Sequence, residues 1–244
     1  MLNNIRIVLV RTHHSGNIGS AARAMKTMGL TDLVLVNPKD FYSQDGKDQA
    51  IKMAMSAENV LQQASQAESL YDAVKDCHMV IASTARTRGY DLPYLSPEES
   101  AQKLLHVAST THKVALVFGP ERMGLSNDDL QYCQYRVTIP THPDYSSLNI
   151  AAAVQTLSYE IYKQSIKISS NNKPETSSVL PPDIESLEKL FTHMEDTLSQ
   201  TGFIIKNHPG DIMKKLRQLF IRAELDESEV NILRGVLSSI DRHL

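Results

Sequence analysis

The chain has 244 residues, which is enough for one domain of about 150 residues and a smaller second one. Two cysteines exclude a disulfide framework, and the short, charged apolar run near the amino terminus excludes a signal peptide or a membrane span, so we expect a cytoplasmic protein. The net charge of −3 disfavours nucleic-acid binding unless basic residues cluster locally.

Short strands alternate with helices through the first 140 residues. A helix from about Gly19 to Met28 is predicted between the first two strands, and Ser96 with Glu99 predicts a capping box at the start of a later helix. The predicted strands are the apolar runs Ile5–Val10, Asp32–Asn37, Met79–Ala82, Lys113–Phe118 and Tyr135–Ile139. This alternation predicts an α/β fold with a mostly parallel sheet covered by helices on both faces.

The remainder of the chain has a different pattern. A helix that begins near Ser147 is followed by a stretch rich in Ser, Asn and Pro, which predicts a linker over residues 166–182. The first domain then spans residues 1–165 and the second spans 183–244. Apolar residues at helical spacing predict three amphipathic helices in the second, α-helical domain.

Three segments of the first domain each follow a strand-like run and lead into a helix. They begin at Asn17 (NIGSAAR), Phe118 (FGPERMGLSN) and Ile139 (IPTHPDYSSLNIAAAVQ). Open α/β sheets bind ligands at the carboxyl ends of their strands, so the three segments predict one composite site. A single glycine after a strand is usually only a turn residue, and neither a dinucleotide fingerprint nor a phosphate loop is complete here.

The order and wording of these three motifs resemble the SPOUT class of methyltransferases, in the branch that methylates ribose 2′-hydroxyls of RNA. The resemblance covers roughly the first 165 residues. It implies a carboxyl-terminal trefoil knot in the sheet domain and S-adenosyl-L-methionine as methyl donor. By the same resemblance, Asn149 is expected to close the knot with a hydrogen bond.

The resemblance also assigns residues to the donor and to the reaction. Arg23 is expected beside the target ribose, where we expect it to hold a phosphate and stabilise a developing alkoxide, because a guanidinium is a poor base. Asn17 and Glu121 are expected to orient Arg23 and the loops, although Glu121 is equally typical of a surface carboxylate. Cofactor contacts are expected from Ser83, Thr84, Ala85, Gly119, Ile139, Ser146, Ser147 and Leu148.

Two groups of basic residues are predicted to contact RNA. Pro120 stands where many members of this branch have Arg or Asn, so any lost contact would have to come from Arg122, Arg86 or Arg88. The second group lies in the only strongly basic run, where a solvated helix face is the alternative explanation. It consists of Lys214, Lys215 and Arg217.

The carboxyl-terminal part of the chain narrows the resemblance to one group of enzymes within this branch. Asn207-His-Pro-Gly210, Met213–Phe220 and Asn231–Gly235 resemble the carboxyl-terminal extension of bacterial tRNA cytidine/uridine 2′-O-methyltransferases that act on nucleotide 32 of the anticodon loop. Such enzymes are homodimers, which implies tRNA and a second copy as partners. A 2′-O-methyltransferase acting on ribosomal RNA and a non-catalytic knotted RNA-binding protein are the alternatives.

The sequence gives no support for two other kinds of site. His13, His14 and His142 lack the spacing of metal ligands, so no metal is expected. Ser147 lacks the glycine-flanked elbow and the nearby His and carboxylate of a nucleophilic serine.

Overall fold

A computed structural model describes residues 1–84, 91–109, 111–145, 147–170, 181–204 and 212–244. These residues form two compact units, Met1–Thr176 and Ser177–Leu244. The first unit contains an all-parallel sheet of seven strands in the order β3-β2-β1-β6-β4-β7-β5, which confirms the predicted α/β fold. The strands are β1 Ile5–Val10, β2 Asp32–Val36, β3 Ser65–Ala67, β4 Cys77–Ser83, β5 Tyr94–Leu95, β6 Lys113–Phe118 and β7 Tyr135–Val137.

Seven α-helices accompany the sheet in the described residues of the first unit. They are α1 Ser15–Thr27, α2 Gln44–Ala54, α3 Glu58–Gln62, α4 Leu70–Val74, α5 Pro97–Ala108, α6 Asn127–Leu130 and α7 Ile150–Ser170. The predicted capping box of α5 is present, because Ser96 Oγ accepts from Glu99 N at 3.2 Å and Glu99 Oε2 accepts from Ser96 N at 2.7 Å.

The core lies between the sheet and three of these helices. Ile5, Ile7 and Leu9 of β1 are fully buried in one cluster with side chains of α1, α5 and α7. The intervening residues Val8 and Val10 are also fully buried, so both faces of the sheet are covered. This double burial explains why β1 is a continuous apolar run rather than an alternating one.

Helix α1 begins at Ser15, four residues before the predicted start at Gly19. Gly16 and Gly19 both lie within this helix. A Cβ atom on Gly19 would lie 2.0 Å from the carbonyl oxygen of Ala50 on α2. Gly19 therefore permits backbone contact between two helices, which a sequence pattern does not distinguish from a turn.

The linker boundary at residue 166 was wrong. Helix α7 continues to Ser170, because Ile168 still packs against the core and Lys167 pairs with Glu98 of α5. Residues 171–180 of the predicted linker lie outside the described part of the chain.

The second unit is helical, as predicted. Its helices are α8 Ile184–Gln200, α9 Ile212–Ala223 and α10 Glu227–Asp241. They enclose a small core of their own that includes Leu190, Phe191 and Leu237. None of the helices in the described ranges is long and apolar enough to cross a membrane.

The amino-terminal half of β1 carries one buried charge. Arg6 is 8% exposed and donates to Asp32 Oδ2 at 3.0 Å, to Asp76 Oδ1 at 2.6 Å and to the carbonyl oxygen of Ala73 at 2.7 Å. Lys113 Nζ lies 2.9 Å from Asp76 Oδ2. Partial burial raises the pKa of Asp76, but hydrogen bonds from Arg6 and Lys113 outweigh it and hold the pKa at about 2.

We predict that Asp76→Asn lowers the free energy of unfolding at pH 7 by roughly 1 kcal/mol, since the carboxylate is nearly half exposed and solvent screens its pairs. Because the pKa of Asp76 in the folded protein lies below its ordinary value of 3.8, the difference between parent and variant is full above that value. It should disappear as the pH falls through about 2. Urea unfolding followed by circular dichroism measures it, with the exposed Asp91→Asn as control. A pH-independent difference would contradict the prediction.

Candidate functional site

The second and third motifs and the loop after β4 meet at the carboxyl edge of the sheet around one pocket of about 170 Å³. The pocket lies where the adjacent strands β6, β4 and β7 end. Its walls include apolar side chains such as Phe118 and Leu125. The described residues that were predicted to contact a cofactor all line this pocket: Ser83, Thr84, Gly119, Ile139, Ser147 and Leu148. Ala85 and Ser146 were also predicted there, but they lie outside the described residues.

Two backbone features shape the pocket wall. Thr84 N donates to the carbonyl oxygen of Val137 at 3.0 Å, and Thr138 Oγ1 donates back to the carbonyl oxygen of Thr84 at 2.7 Å. These bonds hold the loop after β4 against the loop after β7. A Cβ atom on Gly119 would lie 2.4 Å from Leu125 N, so only glycine lets the loop after β6 fold back on itself.

A chain of hydrogen bonds connects the three motifs. Asn17 Nδ2 donates to Glu121 Oε1 at 2.8 Å, and Asn149 Nδ2 donates to Asn17 Oδ1 at 3.0 Å. Asn149 Oδ1 in turn accepts from Ala151 N at 2.8 Å in the first turn of α7. The amide side chains of the first and third motifs and the carboxylate of the second motif therefore fix the relative positions of the loops. We call Glu121, Asn17 and Asn149 the motif bridge.

The carboxylate of the motif bridge is also held by the loop that follows β1. Glu121 Oε2 accepts from His13 N at 3.1 Å, and Glu121 Oε1 accepts from His14 N at 3.4 Å. Partial burial raises the pKa of Glu121, but the hydrogen bonds from Asn17 and from the backbone lower it below its ordinary value. Glu121 is therefore a carboxylate at neutral pH, and it is the one acidic side chain among the described residues that line the pocket.

Arg23 does not join this network. Its side chain is exposed on α1, it does not line the pocket, and none of the bonds of the motif bridge described above reaches it. The expectation that Asn17 and Glu121 orient Arg23 is thus not met by a direct contact, because their polar atoms are used by each other, by Asn149 and by the backbone. Asn17 and Glu121 instead form hydrogen bonds that connect the loops of the site.

The second motif presents a different arginine to the pocket. Pro120 is buried in the wall, and its carbonyl oxygen accepts from Gly124 N at 2.8 Å. Arg122 is exposed and lines the pocket. Arg86 and Arg88, the other two arginines predicted to contact RNA near this site, lie outside the described residues.

Sequence reasoning missed a second connection, which joins the loop after β1 to helix α6. Arg11 follows β1 in a left-handed conformation with a φ of 49°, and its guanidinium pairs with the carboxylate of Asp129. Asp129 is 5% exposed and also accepts from Ser126 N at 2.8 Å in the capping box of α6. An N-cap pattern at Ser126 and Asp129 is readable in the sequence, but its ionic partner 118 residues away is not.

The basic run of the second unit does not act as a single surface. Arg217 pairs through both terminal nitrogens with the carboxylate of Glu188 on α8, with Nη2 at 2.7 Å from Oε2, and its guanidinium stacks 4.4 Å from the ring centroid of Phe191. The side chains of Arg217 and Glu188 are only 15% and 19% exposed. Arg217 joins α9 to α8 in this structure, and its contact with RNA stays a prediction.

Lys214 and Lys215 differ from Arg217. Lys215 is exposed and Lys214 is half-buried, so this pair is the part of the basic run that a phosphate backbone can reach.

In the described ranges, no group of three or more His, Cys, Asp or Glu side chains is arranged to hold a metal ion.

Comparisons with known proteins agree with the geometry of both units. Residues 4–159 match the SpoU rRNA Methylase family, and residues 185–244 match the tRNA methyltransferase TrmJ, C-terminal domain. The chain is 48% identical over 243 residues to the tRNA (cytidine/uridine-2'-O-)-methyltransferase TrmJ of Salmonella choleraesuis, covering 99% of this chain and 98% of that protein. The TrmJ of Pectobacterium atrosepticum is also 48% identical, with the same coverage of both chains.

Solved structures show the same relationship. The crystal structure of TrmJ from Z. mobilis ZM4 matches with a TM-score of 0.80 and 35% identity, covering 97% of this chain and 98% of that chain. A probable methylase family protein from Haemophilus influenzae Rd KW20 matches with a TM-score of 0.63 and 43% identity, covering 100% and 98% of the two chains.

We predict that Glu121→Gln lowers the free energy of unfolding of the first unit by about 1–2 kcal/mol, because one of the two oxygens that together accept three N–H groups would become an NH2 group that cannot accept. Glu195→Gln, at an exposed position on α8, is the matched control and should change it by less than about 0.5 kcal/mol. Circular dichroism during urea unfolding measures both. Equal stability of the two variants would show that the motif bridge does not hold the loops together.

Proposed function

Because this chain belongs to the SpoU methylase family and ends in a TrmJ-type domain, we propose that it methylates the ribose 2′-hydroxyl of cytidine or uridine at nucleotide 32 of tRNA, with S-adenosyl-L-methionine as donor. As a TrmJ-type enzyme it is a tRNA (cytidine/uridine-2′-O-)-methyltransferase. The donor and the target nucleotide are the parts that we add. The observation that carries the donor is the pocket that gathers the described cofactor positions, and the target nucleotide is proposed from the TrmJ-type second unit.

The residues of the pocket suit this methyl donor. Phe118, Leu125 and Ile139 offer apolar walls to an adenine ring, while Ser83 and Ser147 offer hydroxyl groups. The Glu121 carboxylate places a negative charge at the wall, which favours a cationic ligand. When bound, the donor supplies an electrophilic methyl group on a sulfonium leaving group. The protein must then mainly orient the ribose and manage one proton.

Arg23 is the residue that we propose for orienting the ribose. Its guanidinium is exposed, and among the described residues no group forms an ion pair or hydrogen bond with it, so it is available to a phosphate. It lies on α1 six residues after Asn17, so the motif bridge that orders the start of α1 also fixes the base of this side chain. A guanidinium stays protonated near neutrality, and hence Arg23 would stabilise the developing alkoxide rather than accept its proton.

The second unit supports tRNA rather than ribosomal RNA as substrate. Its match to the TrmJ carboxyl-terminal domain covers residues 185–244, beyond the part shared with the wider SpoU family. We propose that Lys214 and Lys215 contribute phosphate contacts there. A tRNA substrate also agrees with the expected cytoplasmic location.

We further propose that the enzyme is a homodimer. Tyr159, Tyr162 and Ile166 are 49%, 39% and 53% exposed, and their spacing puts them on one face of α7. Large apolar side chains grouped in this way are typical of a surface that a partner covers.

We predict that Arg23→Ala abolishes methyl transfer but leaves donor binding within about twofold, because Arg23 lies outside the pocket. Cells that lack the gene are complemented with the parent or the variant, and mass spectrometry of mapped tRNA fragments reports 2′-O-methylation of nucleotide 32. Calorimetry with S-adenosyl-L-methionine on the purified proteins provides the binding control. Methylation by the variant at more than a few per cent of the parent level would refute the role of Arg23, and no methylation of nucleotide 32 by the parent would refute the proposed function.

We predict opposite outcomes for neighbouring basic residues of α9. The Lys214→Gln/Lys215→Gln variant should stay folded and flatten the slope of log affinity for tRNA against log salt concentration by up to about 2. Arg217→Gln should instead lower the stability of the second unit by about 2 kcal/mol, since it leaves Glu188 without its partner. Filter binding at several salt concentrations and thermal unfolding measure the two effects. An unchanged slope for the lysine variant would identify the run as a solvated helix face.

A further inference from the structure

The turn that precedes Ser147 of the pocket wall carries an exposed aromatic ring that the reaction described above does not use. Tyr145 is 78% exposed, the highest value among the large hydrophobic side chains of the described residues. It belongs to the third motif, between Thr141 and Ser147, which both line the pocket. Because two residues span at most about 7 Å, the Cα atom of Tyr145 lies within that distance of the Cα atom of Ser147.

The backbone around Tyr145 is held in place, while its ring is not. Tyr145 N donates to the carbonyl oxygen of His142 at 3.0 Å, which closes a turn over residues 142–145. Two further exposed apolar side chains, Met123 at 66% and Leu148 at 41%, line the pocket itself. The pocket mouth therefore has an apolar rim beside the exposed Arg122.

Ribose chemistry dictates what must come to this rim. In any ribonucleotide the base is attached to C1′, the carbon next to the one that bears the reacting 2′-hydroxyl. When that hydroxyl faces a methyl donor in the pocket, the base must lie within a few ångströms of the pocket mouth. Bases in single-stranded RNA loops are commonly held by stacking on aromatic side chains.

We propose that Tyr145 is the platform on which the target pyrimidine stacks when its ribose enters the site. This inference rests on the proposed function and adds the residue that positions the base. Stacking on a ring requires a planar base but reads none of its hydrogen-bonding edge, so cytidine and uridine are accepted alike. Among the described residues no aromatic ring or cationic side chain stacks on Tyr145, and its 78% exposure leaves the ring accessible to a base.

Three variants and three substrates test the platform. The substrates are in vitro transcribed tRNAs with cytidine or uridine at nucleotide 32, together with a tRNA that is abasic at that nucleotide. Tyr145→Ala should lower kcat/KM for both pyrimidines by about tenfold or more, while Tyr145→Phe, which keeps the ring, should stay within about twofold of the parent. Tyr94→Ala is the control, because Tyr94 is 52% exposed but lies on β5, outside the third motif and its pocket-lining residues.

The abasic substrate separates stacking from a structural effect. On this tRNA the parent and Tyr145→Ala should react at the same reduced rate, since there is no base for the ring to hold. Tyr145→Ala should also bind S-adenosyl-L-methionine like the parent in calorimetry and should keep the parent's oligomeric state in light scattering.

Each contrary result has one meaning. If the parent methylates both pyrimidine tRNAs and Tyr145→Ala matches it, the platform is refuted while the proposed function stands. A tenfold loss that persists on the abasic tRNA, a loss with Tyr145→Phe, or a change of oligomeric state in Tyr145→Ala also refutes the platform. If the parent transfers no methyl group to either pyrimidine tRNA, the proposed function and the platform fail together.

Discussion

The site depends on the carboxylate of Glu121 and the two amide side chains that follow it. Glu121 lies in the loop after β6, Asn17 in the first turn of α1 and Asn149 directly before α7, and each would be an ordinary surface residue without the others. Their bonds place the backbone of the first turn of α1 and the start of α7 against the loop after β6. The pocket, the position of Arg23 and the turn that carries Tyr145 are all built on these loops. A low pKa keeps Glu121 ionised, so the acceptor is available throughout the neutral range.

The architecture could be predicted from the sequence because the patterns that indicate its strands and helices are local. Doubly buried strands such as β1 and β6 are continuous apolar runs, and their boundaries were predicted to the residue. The start of α1 was misjudged because Gly19 looks like a turn residue but serves contact with Ala50, a partner 31 positions away. The end of α7 was placed too early because the residues around Lys167 are polar, and the sequence does not show that Lys167 pairs with Glu98 of α5. In both cases a tertiary contact outweighed the local pattern.

The position of the candidate site could be predicted from the sequence, but the role of each residue in it could not. Pocket-lining positions follow from strand ends, so the described ones were found together. Charged side chains are harder, since their roles depend on partners at a distance in sequence. Arg217 and Lys215 are two residues apart on one helix, yet the first is enclosed by Glu188 and Phe191 and the second is exposed. Arg11 escaped notice because its partner Asp129 lies on α6, 118 positions away.

The long spans of the motif bridge have a consequence for how the protein is made. Asn17 and Glu121 are separated by 104 positions, and Asn149 and Asn17 by 132. Contacts so distant in sequence form late, because the chain must pay for closing large loops before they contribute. During translation the first six strands can emerge before Asn149 does, but the site stays open until the ribosome has released the start of α7. A nascent or truncated chain can therefore bury much of its core and still be unable to act on RNA.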